Sequence, residues 1–235
     1  MIAENIKKIR ELIDRKSVES KRDPVEIKLI AVSKNYGKDE IISAFNEGLI
    51  NFGENRAQEL ISKYNELGEL NEKITWHFIG ALQRNKVRFA VQVAEYIHSV
   101  DSLLLASEIN RSAGKINKIQ KILLEVKTSE EETKSGLTDE SELKDLVRYC
   151  SELPNIEAVG LMTIAPFTDN KHVIRQSFNY LSKLKDELNA EGNNLKELSM
   201  GMTNDFEIAI EEGATMLRIG TAIFGERNYS KNWGK

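Results

Sequence analysis

The segment Lys28-Leu29-Ile30-Ala31-Val32-Ser33-Lys34 decides the fold prediction. Its centre is a short run of apolar and small residues between charged residues, which is typical of a strand buried on both faces of a parallel sheet. Gly37 and Asp39 follow as signals of a helix start, with Asp39 as the expected cap. Lys34 is then expected at the carboxyl end of the strand, where α/β proteins bind their ligands.

A lysine in that position has two interpretations. If it is partly desolvated, its amine loses a proton near neutral pH and can attack a carbonyl to form a Schiff base. Alternatively, the side chain of Lys34 extends its charge into water and has no chemical role. The rest of the chain has to decide between them.

Short apolar runs recur along the chain and alternate with helical segments. After the first strand, further strands are predicted at residues 50–53, 75–79, 96–100, 119–126, 156–161, 198–200 and 216–219. An amphipathic helix in the first twenty residues precedes them all. In a chain of 235 residues without a linker, this alternation predicts a single (β/α)8 TIM-type barrel over residues 1–235, with an extra N-terminal helix. An open, doubly wound sheet is the alternative.

Composition and charge exclude several classes of partner. Acidic residues (37) and basic residues (33) are interspersed and give a net charge of -4, so no basic face predicts binding to nucleic acid. The one cysteine, Cys150, fits a reducing compartment. No apolar segment has the length of a membrane span, and Met1 leads directly into charged sequence. We expect a cytoplasmic protein without a membrane partner, and a monomer because no second domain is predicted.

Two loops at the ends of the last predicted strands are suited to phosphate. Met200-Gly201-Met202-Thr203-Asn204 offers a glycine and a hydroxyl after the seventh strand, and Gly220-Thr221-Ala222 does so after the eighth. Each alone is ordinary turn chemistry. Barrels commonly bind phosphate in these two loops, however, so together they predict a phosphate-bearing ligand.

Arg218 interrupts the apolar eighth strand. A charge there is costly unless it is paired, for example with Glu125, or faces a ligand. A Schiff-base lysine, a phosphate cradle and an arginine near a ring nitrogen are together what pyridoxal phosphate requires. The fixed charge of an arginine disfavours protonation of the pyridine ring, which makes the ring a weak electron sink.

The histidines do not predict a metal site. His77 lies within a strand between two aromatic residues and is expected to be a satisfied interior residue. His98 and His172 have no partners at metal-ligand spacing, so no metal is predicted. Lys134, in the loop after the fifth strand, is either a solvated loop lysine or a second acceptor for an aldehyde.

Six motifs occur in order along almost the whole chain: Ala31-Val32-Ser33-Lys34, Phe52-Gly53-Glu54-Asn55, Trp76-His77-Phe78-Ile79-Gly80, Gly160-Leu161-Met162, Leu198-Ser199-Met200-Gly201-Met202 and Arg218-Ile219-Gly220-Thr221-Ala222-Ile223-Phe224-Gly225. Together they resemble the motifs of the pyridoxal phosphate homeostasis protein family, also called the YggS or PROSC family. There are two departures from the family pattern. Thr203 stands where the family usually has serine, and Asn35-Tyr36-Gly37-Lys38 lacks the proline that often follows the lysine.

The resemblance implies a barrel similar to the N-terminal domain of alanine racemase, with pyridoxal 5'-phosphate held as a Schiff base on Lys34. It further implies that Arg218 lies near the pyridine nitrogen and that Asn55 and Met200 line the ring. The phosphate would be held by Gly201, Thr203, Gly220 and Thr221.

Three functions are compatible with such a site. The first, which we favour, is a non-catalytic binder of pyridoxal 5'-phosphate in intracellular vitamin B6 homeostasis, with apo-enzymes that use the cofactor as a class of partner. The second is a weak amino-acid racemase, which needs an acid or base on each face of the substrate carbon. With no second domain to supply the opposing base, the far face of the cofactor would stay open to water. The third is a Schiff-base aldolase or phosphosugar isomerase, which should have acid/base carboxylates around its lysine, and the first strand has none.

Overall fold

Eight parallel strands close into a barrel in the computed structural model, which describes residues 1–129 and 135–225. The strands are β1 (Lys28–Val32), β2 (Asn51–Glu54), β3 (Thr75–Phe78), β4 (Tyr96–Val100), β5 (Gln120–Glu125), β6 (Ile156–Met162), β7 (Glu197–Ser199) and β8 (Met216–Ile219). Each strand pairs with its neighbours in chain order, and β8 pairs with β1. The predicted barrel is therefore confirmed, and the open-sheet alternative is wrong.

Helices surround the barrel and connect its strands. In the described ranges they are α1 (Ile2–Glu19), α2 (Lys38–Asn46), α3 (Ala57–Leu67), α4 (Val87–Val93), α5 (Leu103–Gly114), α6 (Glu140–Ser151), α7 (Lys171–Ala190), α8 (Phe206–Glu211) and the short α9 (Thr221–Phe224). The predicted N-terminal helix is α1. It buries Ile6, Ile9 and Ile13 at helical spacing and packs against α2, α8 and α9, so it covers the flank where the barrel closes.

Two apolar layers form the core. The larger one lies between strands and helices, where it contains Ala31 of β1 and the buried faces of the helices. A smaller cluster, Ile30, Leu123, Met162 and Met216, is contributed by β1, β5, β6 and β8. Because side chains alternate along a strand, Ile30 and Val32 face one side of β1 and Ala31 and Ser33 face the other.

The start of α2 differs from the prediction. Gly37 is the N-cap residue, and its N–H donates to Glu40 Oε2 at 2.9 Å. Asp39 lies inside the first turn instead of capping it. Its charge is still favourable there, because a helix N-terminus carries a partial positive charge.

None of the helices in the described ranges is both long and apolar enough to span a membrane. Cys150 is a buried free thiol on α6, and burial raises its pKa to about 12.

Candidate functional site

A cavity of about 1020 Å³ opens at the carboxyl ends of the strands. Loops that follow β1, β2, β3, β5, β6, β7 and β8 contribute to its wall. Six of the eight predicted site residues line it: Lys34, Asn55, Thr203, Arg218, Gly220 and Thr221. The barrel therefore brings together residues from both ends of the chain.

Barrel closure is what places Lys34 beside the last strand. In the β1–β8 ladder Ile30 pairs with Arg218 and Ala31 pairs with Ile219. One residue further, a Cβ atom on Gly220 would lie 3.5 Å from Val32. Lys34 is two residues beyond Val32, so it enters the cavity next to the loop that follows β8.

The loops after β7 and β8 are joined by their hydroxyls. Thr221 Oγ1 donates to Thr203 Oγ1 at 3.2 Å. Gly220 is the N-cap of α9, and the first amides of a helix have no acceptor within the helix. Thr221 is exposed and Thr203 is partly exposed, so an anion could approach both hydroxyls from the cavity.

Arg218 is buried, with 5% of its surface exposed, yet it reaches the cavity. Its Nη1 donates to Ser199 Oγ at 2.5 Å, and its Nη2 donates to the Thr163 carbonyl at 2.8 Å. Burial lowers the pKa of Arg218 to about 10, against the attraction of Asp205 and Glu125, so it stays charged at neutral pH. Within the described residues Arg218 forms no direct ion pair, so the alternative of a buried pair with a carboxylate such as Glu125 is not realised, although Glu125 still attracts its charge.

A chain of hydrogen bonds continues from Arg218 through the barrel interior. Ser199 Oγ bonds His98 Nδ1 at 2.8 Å, His98 Nε2 bonds His77 Nδ1 at 2.9 Å, and His77 Nε2 bonds Asn51 Oδ1 at 3.1 Å. Because Asn51 Oδ1 only accepts, His77 carries its proton on Nε2, its Nδ1 accepts from His98 Nε2, and His98 Nδ1 accepts from the Ser199 hydroxyl. We call this chain the interior relay.

Both histidines of the interior relay are neutral. Burial lowers the pKa of His77 to about 3, and the charge of Lys28 adds to this effect. Burial also holds the pKa of His98 well below its usual value, with contributions from His77 and Arg218. His77 is fully buried, which confirms its predicted interior position.

Met200 and Gly201 do not line the cavity. Met200 is fully buried and packs in the core between strands and helices. Gly201 has φ +92°, and a Cβ atom there would lie 2.6 Å from Ala209 Cβ. Its carbonyl accepts from the Arg218 N–H at 2.9 Å. Met200 and Gly201 thus support the loop after β7 from its buried side, whereas Met202 of the same loop lines the cavity.

Comparisons with known proteins show the family of this chain. The family model described as "Alanine racemase, N-terminal domain" matches residues 1–228. The chain is 45% identical over 227 residues to the pyridoxal phosphate homeostasis protein of Aquifex aeolicus (strain VF5), covering 96% of this chain and 98% of the relative. It belongs to the pyridoxal phosphate homeostasis protein family. The relative from Escherichia coli (strain K12) is 37% identical over 235 residues, with 98% of each chain covered.

Solved structures extend the comparison. A structure of PipY of Synechococcus elongatus PCC7942 with PLP bound has a TM-score of 0.85 and 37% identity, covering 96% of this chain and 100% of that one. The alanine racemase of Clostridium difficile 630 has a TM-score of 0.76 at 16% identity, covering 95% of this chain and 57% of that one. At that identity the racemase shows the shared fold alone.

Sequence reasoning missed one wall of the cavity in this family member. Residues 163–169, which follow β6, line it, and Phe167 stands at the rim with 94% of its surface exposed. Lys127 after β5 and Lys171 at the start of α7 add positive charge. Residues 163–169 follow a predicted strand, and this position could have indicated that they line the cavity. Lys134 lies outside the described residues.

Within residues 1–129 and 135–225, no group of three His, Cys, Asp or Glu side chains is placed to hold a metal ion.

Proposed function

We propose that this chain binds pyridoxal 5'-phosphate at the mouth of its barrel and serves in intracellular homeostasis of that cofactor without turning over a substrate. Membership of the family and the PLP-bound structure of PipY support this proposal. The observation that carries it is the shared cavity of Lys34, Arg218 and the two threonine loops. Barrel closure brings these strand ends together, but it does not require an amine, a guanidinium and paired hydroxyls to stand there.

The donor set of the cavity fits the three polar ends of the cofactor. The phosphate would be held by Thr203, Thr221 and the Gly220 loop, the ring nitrogen would face Arg218, and the aldehyde would face Lys34. Asn55 would lie along the ring, with Met200 and Gly201 supporting the loop. A bound cofactor supplies an aldehyde that an amine captures reversibly and a ring that withdraws electrons.

The chemistry assigned to Lys34 is a condensation. Lys34 would supply the amine that captures the aldehyde of a bound cofactor reversibly, with loss of the carbonyl oxygen as water. Arg218 would present its positive charge to the pyridine nitrogen, since its hydrogen-bond partners are the neutral Ser199 hydroxyl and Thr163 carbonyl. Protonation of the ring would then be disfavoured, and carbanion chemistry would be suppressed while binding would not.

Borohydride trapping tests the proposal. We expect a yellow complex with added pyridoxal 5'-phosphate that borohydride reduces to a stable adduct on Lys34, located by mass spectrometry. Lys34→Ala should give no adduct, whereas Lys127→Ala and Lys171→Ala, which remove other lysines of the same cavity, should retain it. An adduct of the wild-type protein on Lys127 or Lys171 instead of Lys34 would contradict the assignment.

A weak amino-acid racemase is the alternative function, and one observation favours it. Glu125 lines the cavity from β5, across the ring of strands from β1, and its pKa is raised to about 7, chiefly by burial. Such a carboxyl could act as the second acid or base. Incubation with L-alanine in deuterated water separates the two functions. Deuterium at the α-carbon, formed at enzymatic rates and lost in Glu125→Gln, would overturn the binder proposal.

A further inference from the structure

Lys63 is a charged residue buried on α3, with 1% of its side chain exposed. All three protons of its ammonium group have acceptors. Nζ donates to the Ser33 carbonyl, to Glu54 Oε1 and to Glu59 Oε1, each at 2.7 Å. The cluster lies on the helix side of the barrel wall, because Ser33 alternates with the cavity-lining residues Val32 and Lys34.

The bonds of this cluster converge on the two neighbours of Lys34. Ser33 Oγ donates to Glu54 Oε1 at 2.6 Å, and the Ser33 carbonyl accepts from Lys63. On the other side, the Asn35 N–H donates to Glu59 Oε1 at 2.6 Å. The backbone is thus held directly before and directly after Lys34.

Lys34 itself occupies a β-turn. The Tyr36 N–H donates to the Ser33 carbonyl at 3.0 Å, which makes Lys34 and Asn35 the two central residues. Asn35 has φ +69°, in the left-handed region that is unfavourable for most residues other than glycine. The bond from Asn35 to Glu59 stabilises this conformation, and the turn sets the direction in which Lys34 leaves the strand.

We propose that Glu54, Glu59 and Lys63, which we call the turn clamp, are positioning residues that aim the amine of Lys34 into the cavity. The inference rests on the proposed function. Stability alone is a poor explanation for this cluster, in which Glu54 and Lys63 are buried and Glu59 is partly buried, because well-packed apolar residues of similar volume are often as stable or more stable. A cluster bonded to both neighbours of the reactive lysine is better explained by the need to fix its position.

Glu59 offers the sharpest test, because it is the clamp residue whose loss leaves Lys63 paired with Glu54. Glu59→Ala removes the acceptor for the Asn35 N–H, and Glu59→Gln keeps an amide oxygen in its place. The matched control is Glu197→Ala at the opposite end of the barrel. Glu197 is 14% exposed, against 11% for Glu59, and it is likewise paired with a lysine, Lys28. The full chain is used throughout, and thermal unfolding establishes that each variant is folded.

Three measurements are made on each variant. They are hydrogen exchange of the Asn35 amide, reductive methylation of Lys34 by formaldehyde and cyanoborohydride without any cofactor, and the rate of adduct formation with pyridoxal 5'-phosphate. In Glu59→Ala we expect loss of amide protection, a methylation rate of Lys34 shifted toward that of exposed lysines, and cofactor capture slowed about tenfold or more. Glu59→Gln should restore all three, and Glu197→Ala should change none.

The outcomes separate the two proposals. If Glu59→Ala is methylated at Lys34 at the wild-type rate, the turn clamp does not position the amine, whatever the cofactor does. If the wild-type protein captures no pyridoxal 5'-phosphate on Lys34, the proposed function fails, and the methylation and exchange measurements still decide the clamp. If Glu197→Ala slows capture as much as Glu59→Ala, the effect is one of general stability and the clamp is overturned.

Discussion

Arg218 Nη1 donates to Ser199 Oγ at 2.5 Å, and the same hydroxyl bonds His98 Nδ1 at 2.8 Å. A buried guanidinium is thus held at this atom by a neutral serine whose other partner is a neutral histidine. The arrangement fixes the orientation of Arg218 without neutralising its charge. The nearby carboxyls of Asp205 and Glu125 attract this charge, but its hydrogen-bond partners here are neutral, and a positive charge at the wall of a cavity favours an electron-rich group of a ligand.

Ser199→Ala should destabilise the protein by about 1–3 kcal/mol, because it leaves a donor of Arg218 and the Nδ1 acceptor of His98 buried without a partner. Urea unfolding measures the change. Ser112→Ala is the control, since Ser112 is also buried and, among the residues that the structure describes, its hydroxyl bonds Glu108 alone, at 3.3 Å. Equal losses of unfolding free energy in the two variants would show that the hydrogen bonds of the interior relay stabilise the protein no more than the bond of Ser112 does.

The two histidines of the interior relay should make the stability of the protein depend on pH. The pKa of His77 is lowered to about 3 and that of His98 is also strongly lowered, so the folded state binds fewer protons than the unfolded state below pH 6.5. Their contribution to stability is present above pH 6.5 and is lost as the pH falls. NMR should show both imidazoles neutral, with the proton on Nε2, from about pH 8 to pH 5. A titration of either ring in that range would contradict the burial argument.

Two buried carboxyls should make the stability of the protein change with pH in the opposite direction. Burial raises the pKa of Glu54 and of Glu125 to about 7 each, with Lys63 and Arg218 respectively opposing the shift. For a raised pKa, the stabilising contribution is complete below about pH 4.5 and is lost as the pH rises through about 7. Glu54→Gln and Glu125→Gln should each flatten the stability profile in this window. Carbon NMR of the two carboxyl groups measures their pKa values. Titration midpoints near the ordinary value for glutamate would refute the prediction.

The strands and the cavity were predictable because local sequence encodes them. Strands buried on both faces give continuous apolar runs, and the residues directly after such runs meet at one end of a parallel barrel. This is why Lys34, Thr203 and Thr221 could be placed in one site from sequence. The prediction for Asp39 was wrong because Glu40, one residue further, makes the bond to the Gly37 amide.

Other features depend on contacts that the sequence does not display. Lys63 lies four residues after Glu59, which on sequence is the pattern of an ordinary surface pair on a helix. Only the packing of α3 on the barrel buries it against Ser33. Similarly, His98 and Ser199 are separated by 101 residues, so no local pattern predicts their bond.

Gly201 and Gly220 should respond differently to the same substitution. Gly201→Ala should destabilise the protein by about 2–4 kcal/mol, since φ is +92° and the new Cβ would meet Ala209 Cβ at 2.6 Å. In Gly220→Ala the atoms nearest to the new Cβ belong to Val32 and lie no closer than 3.5 Å, so the protein should fold with nearly unchanged stability. Under the proposed function it should nevertheless weaken cofactor binding, because a methyl group would stand at the phosphate loop. Thermal unfolding and spectroscopic titration check the pair, and equal stability losses would contradict the packing argument.

Thr221→Val tests the phosphate end of the site alone. The hydroxyl of Thr221 donates to Thr203 at 3.2 Å between the two loops, so its removal takes away a hydroxyl that could turn toward an anion and leaves the Thr203 hydroxyl without this donor. A lost hydrogen bond to a charged group corresponds to about tenfold or more in affinity for pyridoxal 5'-phosphate. Affinity for pyridoxal, which lacks the phosphate, should be unchanged, because Lys34 and Arg218 remain.

Thr215→Val, which removes a hydroxyl bonded to Glu197 just before β8, is the control and should bind both compounds as the wild type does. A parallel loss of affinity for both compounds in Thr221→Val would mean that this hydroxyl supports the cavity as a whole and that the phosphate is held elsewhere.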